Sequence, residues 1–338
     1  MMVKLLSKYR SEIMGICIIW IMLFHSGIDA PDNMFFRALW YLFVSFGGGI
    51  GVDIFLICSG FGLRCSECKK ASAGKQESDL SFYKRRVVRL LPAYCAVAVC
   101  YYALLKKSTG EIIYNVLFLN FILEGKRDFW YIFASIIFYL LFPLYGKAAK
   151  RVNYRWATAL FCFVSIAITM LIYWTSPMYY ELWEILLWRL PCFWIGCYFG
   201  DLFVQNRDQE FKTVVIGAAV LGICLIIGLG LISAPGAILR NEFTLLSPAI
   251  MVFFCLLLGI VEKALPALNA ILSYFGSISL ELYVIHVSLG GFFARLIGEM
   301  ADSEMARLSV YFILSILLAA ALHHLIDMFS KKKVAISR

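Results

Sequence analysis

Apolar residues run through this chain in long, nearly uncharged blocks separated by short polar and often basic stretches. A helix needs roughly 20 apolar residues to cross a bilayer. Blocks that qualify cover 12–30, 38–64, 82–105, 128–146, 155–175, 181–204, 213–233, 243–261, 269–290 and 307–329. A shorter piece, 111–124, is marginal in length and reads either as a full span or as a re-entrant helix. The second block is interrupted by Phe-Gly-Gly-Gly-Ile-Gly at 46–51. Adjacent glycines weaken a helix and let backbones approach closely. That stretch therefore reads as a tight helix crossing, as the wall of a site, or as both. No long-period repeat is visible. The pattern predicts an all-α fold: a polytopic transmembrane helical bundle forming one membrane domain over 1–338.

Composition removes the soluble alternatives. Hydrophobic residues make up 62% of the 338 positions and charged residues only 16%, with a mean hydropathy of +0.82. Ordinary globular chains are roughly 45–50% apolar and about 25% charged. No cleavable signal peptide is expected, because the first apolar block lacks an Ala-x-Ala-like site and leads directly into further blocks. Lys and Arg cluster in Lys4–Arg10, Arg64–Arg89, Lys147–Arg155, Arg207–Lys212, Lys263 and Lys331–Arg338. By the positive-inside rule all six clusters share one side if the chain crosses ten times and 111–124 does not fully cross. Both termini are then cytoplasmic. The eleven Cys are mostly scattered through apolar blocks, where Cys behaves as a small hydrophobe. Cys65 and Cys68 form a CxxC without the second ligand pair that a metal or redox site needs. No metal and no nucleic-acid partner is expected.

Chemistry enters with ionisable groups inside the blocks, which are costly at membrane depth and are candidate functional groups. His25 lies 15 residues beyond Arg10, about 22 Å in at 1.5 Å per helical residue. Asp53 lies 11 residues before Arg64, about 16 Å in. Glu281, counted from Asn269, is 12 residues in, or about 18 Å. His286 and Arg189 fall slightly nearer the outside. A shared polar interior explains this grouping. The alternatives are His25 reaching the outer interface, a structural pair of Glu281 with Arg189, and His286 as a packing group. His323 and His324 read as interfacial.

A second constellation is FYKRRVVRLLPAY at 82–94. Arg86 and Arg89 are three apart and share a helix face. Paired guanidiniums suit a phosphate-bearing anion, although plain anchoring or anionic lipid explains Lys84 and Arg85 equally well. A basic cytoplasmic mouth facing an internal His–carboxylate cluster suggests group transfer across the membrane. Composition equally permits a proton-coupled transporter.

The strings GICIIWIMLFHSG, GGIGVDIFLICSGFGL, FYKRRVVRLLPAY, FWYIFASIIFYLLFPLY and SLELYVIHVSL, in that order, resemble the acyltransferase-3 family of bacterial integral membrane acyltransferases, which includes O-antigen and exopolysaccharide O-acetyltransferases. That resemblance implies about ten spans with both ends inside, His25 as catalytic base, and Arg86 and Arg89 binding acyl-CoA. Asp53 falls on the motif's acidic position and is a candidate partner for His25. Two positions depart from the family. An Arg eleven residues before the His is common there, and Met14 stands at that place, with Arg10 one turn earlier. A Glu is common where Ser135 stands. Glu281 is expected to supply the missing support, and Arg10, Ser59, Tyr283, His286 and Arg189 complete the site as supporting residues.

The function expected is transfer of an acyl group, most simply acetyl, from cytoplasmic acyl-CoA to a hydroxyl of a cell-surface carbohydrate or its lipid-linked precursor. The setting is the lipid bilayer of a bacterial cytoplasmic membrane. Acyl-CoA is a co-substrate and no bound cofactor is expected. The alternative is a proton-coupled exporter of a polysaccharide precursor or other small molecule, with His25, Asp53 and Glu281 as its relay. A third reading, a bare membrane anchor, leaves Arg86 and Arg89 replaceable by Lys.

Overall fold

The computed structural model describes residues 2–26, 33, 34, 37, 40, 44, 47–75, 77–231, 243–298 and 304–336. Within the expected spans, 27–30, 38, 39, 41–43, 45, 46, 232 and 233 lie outside the described residues, as do 1, 337 and 338 of the single domain. Among the described residues every regular element is a helix. In order they are α1 (Met2–His25), α2 (Gly47–Ser72), α3 (Asp79–Leu104), α4 (Thr109–Val116), α5 (Leu119–Glu124), α6 (Trp130–Val152), α7 (Tyr154–Thr175), α8 (Pro177–Leu187) and α9 (Leu190–Val204). After them come α10 (Asp208–Leu231), a 3-10 turn (Phe243–Leu246), α11 (Ser247–Ala264), α12 (Pro266–Ser277), α13 (Ser279–Gly298) and α14 (Glu304–Ile336). The fold is that of a helical membrane protein.

Seven described helices are long and apolar enough to cross a membrane, and eight crossings result if the bent pair α12–α13 is one span. The other two of the ten expected crossings fall on α1, which carries Lys8, Arg10 and Glu12 in its last eighteen residues, and on α8–α9. The block 181–204 is not one helix. It breaks at Trp188 and Arg189, and Pro191 stands in the first turn of α9, where its missing N–H costs nothing. The piece 111–124 divides as well, because Phe118 is left-handed (φ 60°) between α4 and α5. Its parts have eight and six residues, about 12 and 9 Å of helix, each too short to cross alone.

α2 lies at the centre of the bundle, packed on α1 and α9. Its contact with α9 needs glycine on both sides. A Cβ on Gly60 would come within 2.2 Å of the Phe193 carbonyl oxygen, and one on Gly196 within 2.2 Å of the Ile57 carbonyl oxygen. Small residues at such a crossing let two backbones touch, which drives association where lipid removes the hydrophobic advantage. α1 and α12 meet the same way through Gly15 and Gly276. The three adjacent glycines that interrupt the second block, Gly47–Gly49, open α2. A Cβ on Gly48 would strike the Phe24 ring at 2.5 Å, and one on Gly51 would meet Ile21 at 3.0 Å. Here the tight crossing seats the turn that carries His25.

A buried ionic network clamps α2 to α9. Arg64 Nε lies 2.9 Å from both carboxylate oxygens of Asp201, its Nη1 donates to Glu67 at 2.7 Å, and the Tyr145 hydroxyl donates to Asp201 at 3.3 Å. Both Arg64 and Asp201 are buried. Every strong acceptor here has a donor, which a charge pair needs in order to survive desolvation.

Candidate functional site

A cavity of about 460 Å³ opens between α1, α2, α3, α6, α12 and α13. Arg10, Arg86 and Arg89 line one end, Ile21, Tyr131 and Tyr283 the other, and Met14, Ser59, Ser135 and Tyr139 the walls between. From Arg10 to Ile21 along α1 is eleven residues, about 16 Å. At the basic end Leu63, Ser66 and Arg86 also line a second cavity of about 230 Å³. Charged residues surround that vestibule, and they pair: Lys70 with Glu77 at 2.9 Å, Arg85 with Glu77, Lys147 with Asp79 at 2.6 Å, and Lys150 with Glu67 at 3.3 Å. Burial works to raise the Glu77 carboxyl, but hydrogen bonds from Lys70 and Arg85 outweigh it and hold the group below the ordinary carboxylate range.

The two arginines of the third span both reach the main cavity, as their shared helix face requires. They are held differently. Arg86 stacks over Phe82 and Tyr139, with its guanidinium carbon 5.3 and 5.7 Å from the ring centres, and its buried Nε has no hydrogen-bond partner among the described residues. Arg89 donates to Glu281 at 3.2 Å and to the Ser277 carbonyl at 3.3 Å. Arg10 lies against Gly62, where a Cβ would fall 1.9 Å from its Nη1. Met14 and Ser135, the two positions that depart from the family pattern, both face this cavity and bring no charge to it.

At the inner end the Tyr283 hydroxyl accepts from the Tyr131 N–H at 3.3 Å. The Tyr283 ring lies 5.6 Å from that of His286, and the His286 ring 5.3 Å from that of His25. His25 Nδ1 is 2.9 Å from the Ile21 carbonyl oxygen, and His286 Nδ1 is 2.8 Å from that of Leu282. A carbonyl only accepts, so each Nδ1 carries the donated hydrogen and each Nε2 is left with its lone pair. His286 is fully buried while His25 remains exposed.

This geometry corrects the expected carboxylate partner of His25. Asp53 faces away, toward Arg189 Nε at 3.4 Å, the Thr244 hydroxyl at 2.8 Å and the Ser247 hydroxyl at 3.5 Å. Arg189 also donates to the Ile185 carbonyl at 2.9 Å and stacks on Trp130. Glu281 is occupied by Arg89 and by His323, whose Nδ1 is 3.1 Å away. The suggested pair of Glu281 with Arg189 does not form, since each takes a different partner. The cause for Glu281 is the 72° bend between α12 and α13. Counting depth from Asn269 assumed one straight helix, whereas Glu281 sits in the first turn of α13 beside the arginine mouth. The partner of the His25 ring is instead a backbone carbonyl four residues earlier. Ser59 and Tyr283 line the cavity, and His286 is the titratable side chain whose ring packs beside that of His25. Sequence reasoning missed Tyr131, Tyr139, Thr244 and His323. His323 was readable as an ionisable group near the end of a span, but its role depends on the bend.

Fold and site together define a membrane-embedded helical protein with a cationic entrance and two imidazoles beyond its far end. The family model for the acyltransferase-3 "Acyltransferase domain" matches residues 14–324, and the chain belongs to that family of membrane acyltransferases. No curated protein and no solved structure matches it.

Proposed function

We propose that this protein is a membrane O-acyltransferase that moves an acyl group, acetyl in the simplest case, from acyl-CoA to a hydroxyl of a cell-surface or lipid-linked carbohydrate in a bacterial cytoplasmic membrane. The observation that carries this reading is the cavity that leads from Arg10, Arg86 and Arg89 to Tyr131 and Tyr283, one ring contact from the His286–His25 pair. A coenzyme A donor needs that polarity: cationic groups for its phosphates and an uncharged channel for the arm that bears the thioester. Arg86 is the stronger candidate for the phosphates because its guanidinium has no carboxylate partner among the described residues, while Arg89 is shared with Glu281.

His25 acts as general base. Its Nδ1 hydrogen on the Ile21 carbonyl fixes the tautomer and leaves Nε2 free to take the proton of the acceptor hydroxyl. The hydroxyl oxygen attacks the thioester carbonyl, the carbon–sulfur bond breaks, and the ester and a thiolate result. Exposure of His25 gives the acceptor access from the side opposite the arginines. Asp53 and Glu281 act on the arginines that surround the site, holding Arg189 and Arg89 in place. The test is acetyl transfer by the purified protein from acetyl-CoA, together with ester-linked acetate on surface polysaccharide in cells. His25→Ala should abolish both. Unchanged acetylation in that variant would refute the mechanism, and transport of an intact substrate without acyl transfer would favour an exporter.

A further inference from the structure

His286 has no task in the chemistry just described, yet its surroundings are unusual. It is fully buried on α13, and among the described residues its Nε2 has no hydrogen-bond partner. Buried polar atoms are nearly always satisfied, so an unmet one calls for an explanation. Its Nδ1 is committed to the Leu282 carbonyl, so the unmet atom is a lone pair waiting for a proton donor. Two neighbours define its position. On one side is the ring of exposed His25 at 5.3 Å, and on the other the ring of Tyr283 at 5.6 Å, which forms the inner end of the cavity. No hydrogen bond joins the two imidazoles directly, but one water between them would complete the path.

We propose that His286 is the acid of the acyl transfer, handing to the departing sulfur the proton that His25 takes from the acceptor hydroxyl. The proposal rests on the reading of His25 as base. The two reacting groups arrive from different directions, the hydroxyl at exposed His25 and the thioester through the cavity that ends at Tyr283. One imidazole reaches the first, and the other lies directly behind the Tyr283 ring at the end of the second. The step balances without any outside reagent. The hydroxyl proton passes to His25 Nε2 as the oxygen–carbon bond forms. It then moves to His286 Nε2 and on to the thiolate as the carbon–sulfur bond breaks. Each ring ends as it began, with hydrogen on Nδ1 and a lone pair on Nε2.

The test compares two donors in the purified full-length protein. Acetyl-CoA releases an alkyl thiolate that benefits from protonation, whereas an S-(nitrophenyl) thioacetate releases an aryl thiolate that needs none. His286→Gln and His286→Asn keep a polar group of similar size at the distal and proximal ring positions respectively. With acetyl-CoA both variants should lose about 100-fold or more in kcat with little change in KM, the scale of a missing general acid. With the aryl thioester the loss should shrink to less than about tenfold, while His25→Ala fails with both donors. Equal losses with both donors would overturn the proposal in favour of a structural role, and so would the absence of a loss with acetyl-CoA. Wild-type protein that transfers nothing from acetyl-CoA would instead overturn the acyltransferase reading, and this proposal with it.

Discussion

Removing Arg86 should weaken donor binding more than removing Arg89, although both line the same mouth. Arg86 is held by ring faces, and no carboxylate among the described residues pairs with it. Its charge is not shared with a carboxylate among the described residues, so it is available to a phosphate. A hydrogen bond to a charged partner contributes about 1.5–3 kcal/mol. At about 1.4 kcal/mol per decade, Arg86→Ala should raise Kd for acetyl-CoA roughly 10- to 150-fold. Arg89 must first loosen a 3.2 Å contact with Glu281, and its side chain is 45% exposed. Exposed pairs contribute on the order of 1 kcal/mol or less, so Arg89→Ala should cost roughly fivefold. Arg86→Lys should recover only part of the loss, since Lys keeps the charge but not the planar fork or the stacking. The assay is equilibrium binding of labelled acetyl-CoA to detergent-solubilised protein at low and high salt, with screening expected to shrink each difference. Wild-type affinity in Arg86→Ala, or a larger loss in Arg89→Ala, would refute this division of labour.

Arg64→Ala leaves Asp201 buried against α2 without its cation and should cost roughly 3–5 kcal/mol; a thermal midpoint in detergent that stays at the wild-type value would contradict the clamp. Gly196→Ala forces a Cβ to 2.2 Å from a backbone oxygen that cannot move away, so it should destabilise by about 1–3 kcal/mol. Gly217→Ala, where no atom lies within 4 Å, serves as the control and should be neutral or stabilising by up to about 1 kcal/mol; equal melts for the two variants would sink the argument. The Glu77 carboxyl lies below its ordinary 4.5 because Lys70 and Arg85 outweigh burial. Its stabilisation of the vestibule is therefore present above that value and is lost as pH falls through the depressed folded value. Limited proteolysis around 73–78 should accelerate on acidification in the wild type, while Glu77→Gln should be cut readily throughout. The same acid-induced change in both proteins would rule Glu77 out as the cause.

The membrane class of this fold is legible in the sequence, because long uncharged blocks admit few structures other than helices that satisfy their own backbone. The candidate residues are visible in the sequence too, since His25, Asp53, Arg86, Arg89 and Glu281 stand out as ionisable groups in apolar blocks. Their pairing is not. Depth counting treats every block as a straight rod, and the 72° bend before Ser279 moves Glu281 to the arginine end. The break at Trp188–Arg189 turns one expected helix into two and presents Arg189 to Asp53. Depth also says nothing about azimuth, so charges at similar heights on α1, α2 and α13 need not face one another. The carbonyl partners of both histidines lie four residues back on their own helices, a local option that a search for distant carboxylates passes over.

That local option changes how the site pays for polarity inside a membrane. A His–carboxylate pair would bury a full negative charge beside the base. Here both described carboxylates near the site are spent on arginines, and the two imidazoles are satisfied at Nδ1 by backbone carbonyls. Groups bonded in this way need no counter-charge, and the inner end of the cavity is lined by the uncharged Ile21, Tyr131 and Tyr283, with the His286 ring behind Tyr283. Among the residues that line the cavity, formal charge falls on Arg10, Arg86 and Arg89 at the mouth, next to the vestibule and its ion pairs, while the Asp53–Arg189 pair lies outside the lining. The absence of charge at Met14 and Ser135 fits this separation. An additional cation or carboxylate halfway along would face an uncharged channel wall, whereas Arg10, one turn nearer the mouth, adds its charge to the end that already holds Arg86 and Arg89.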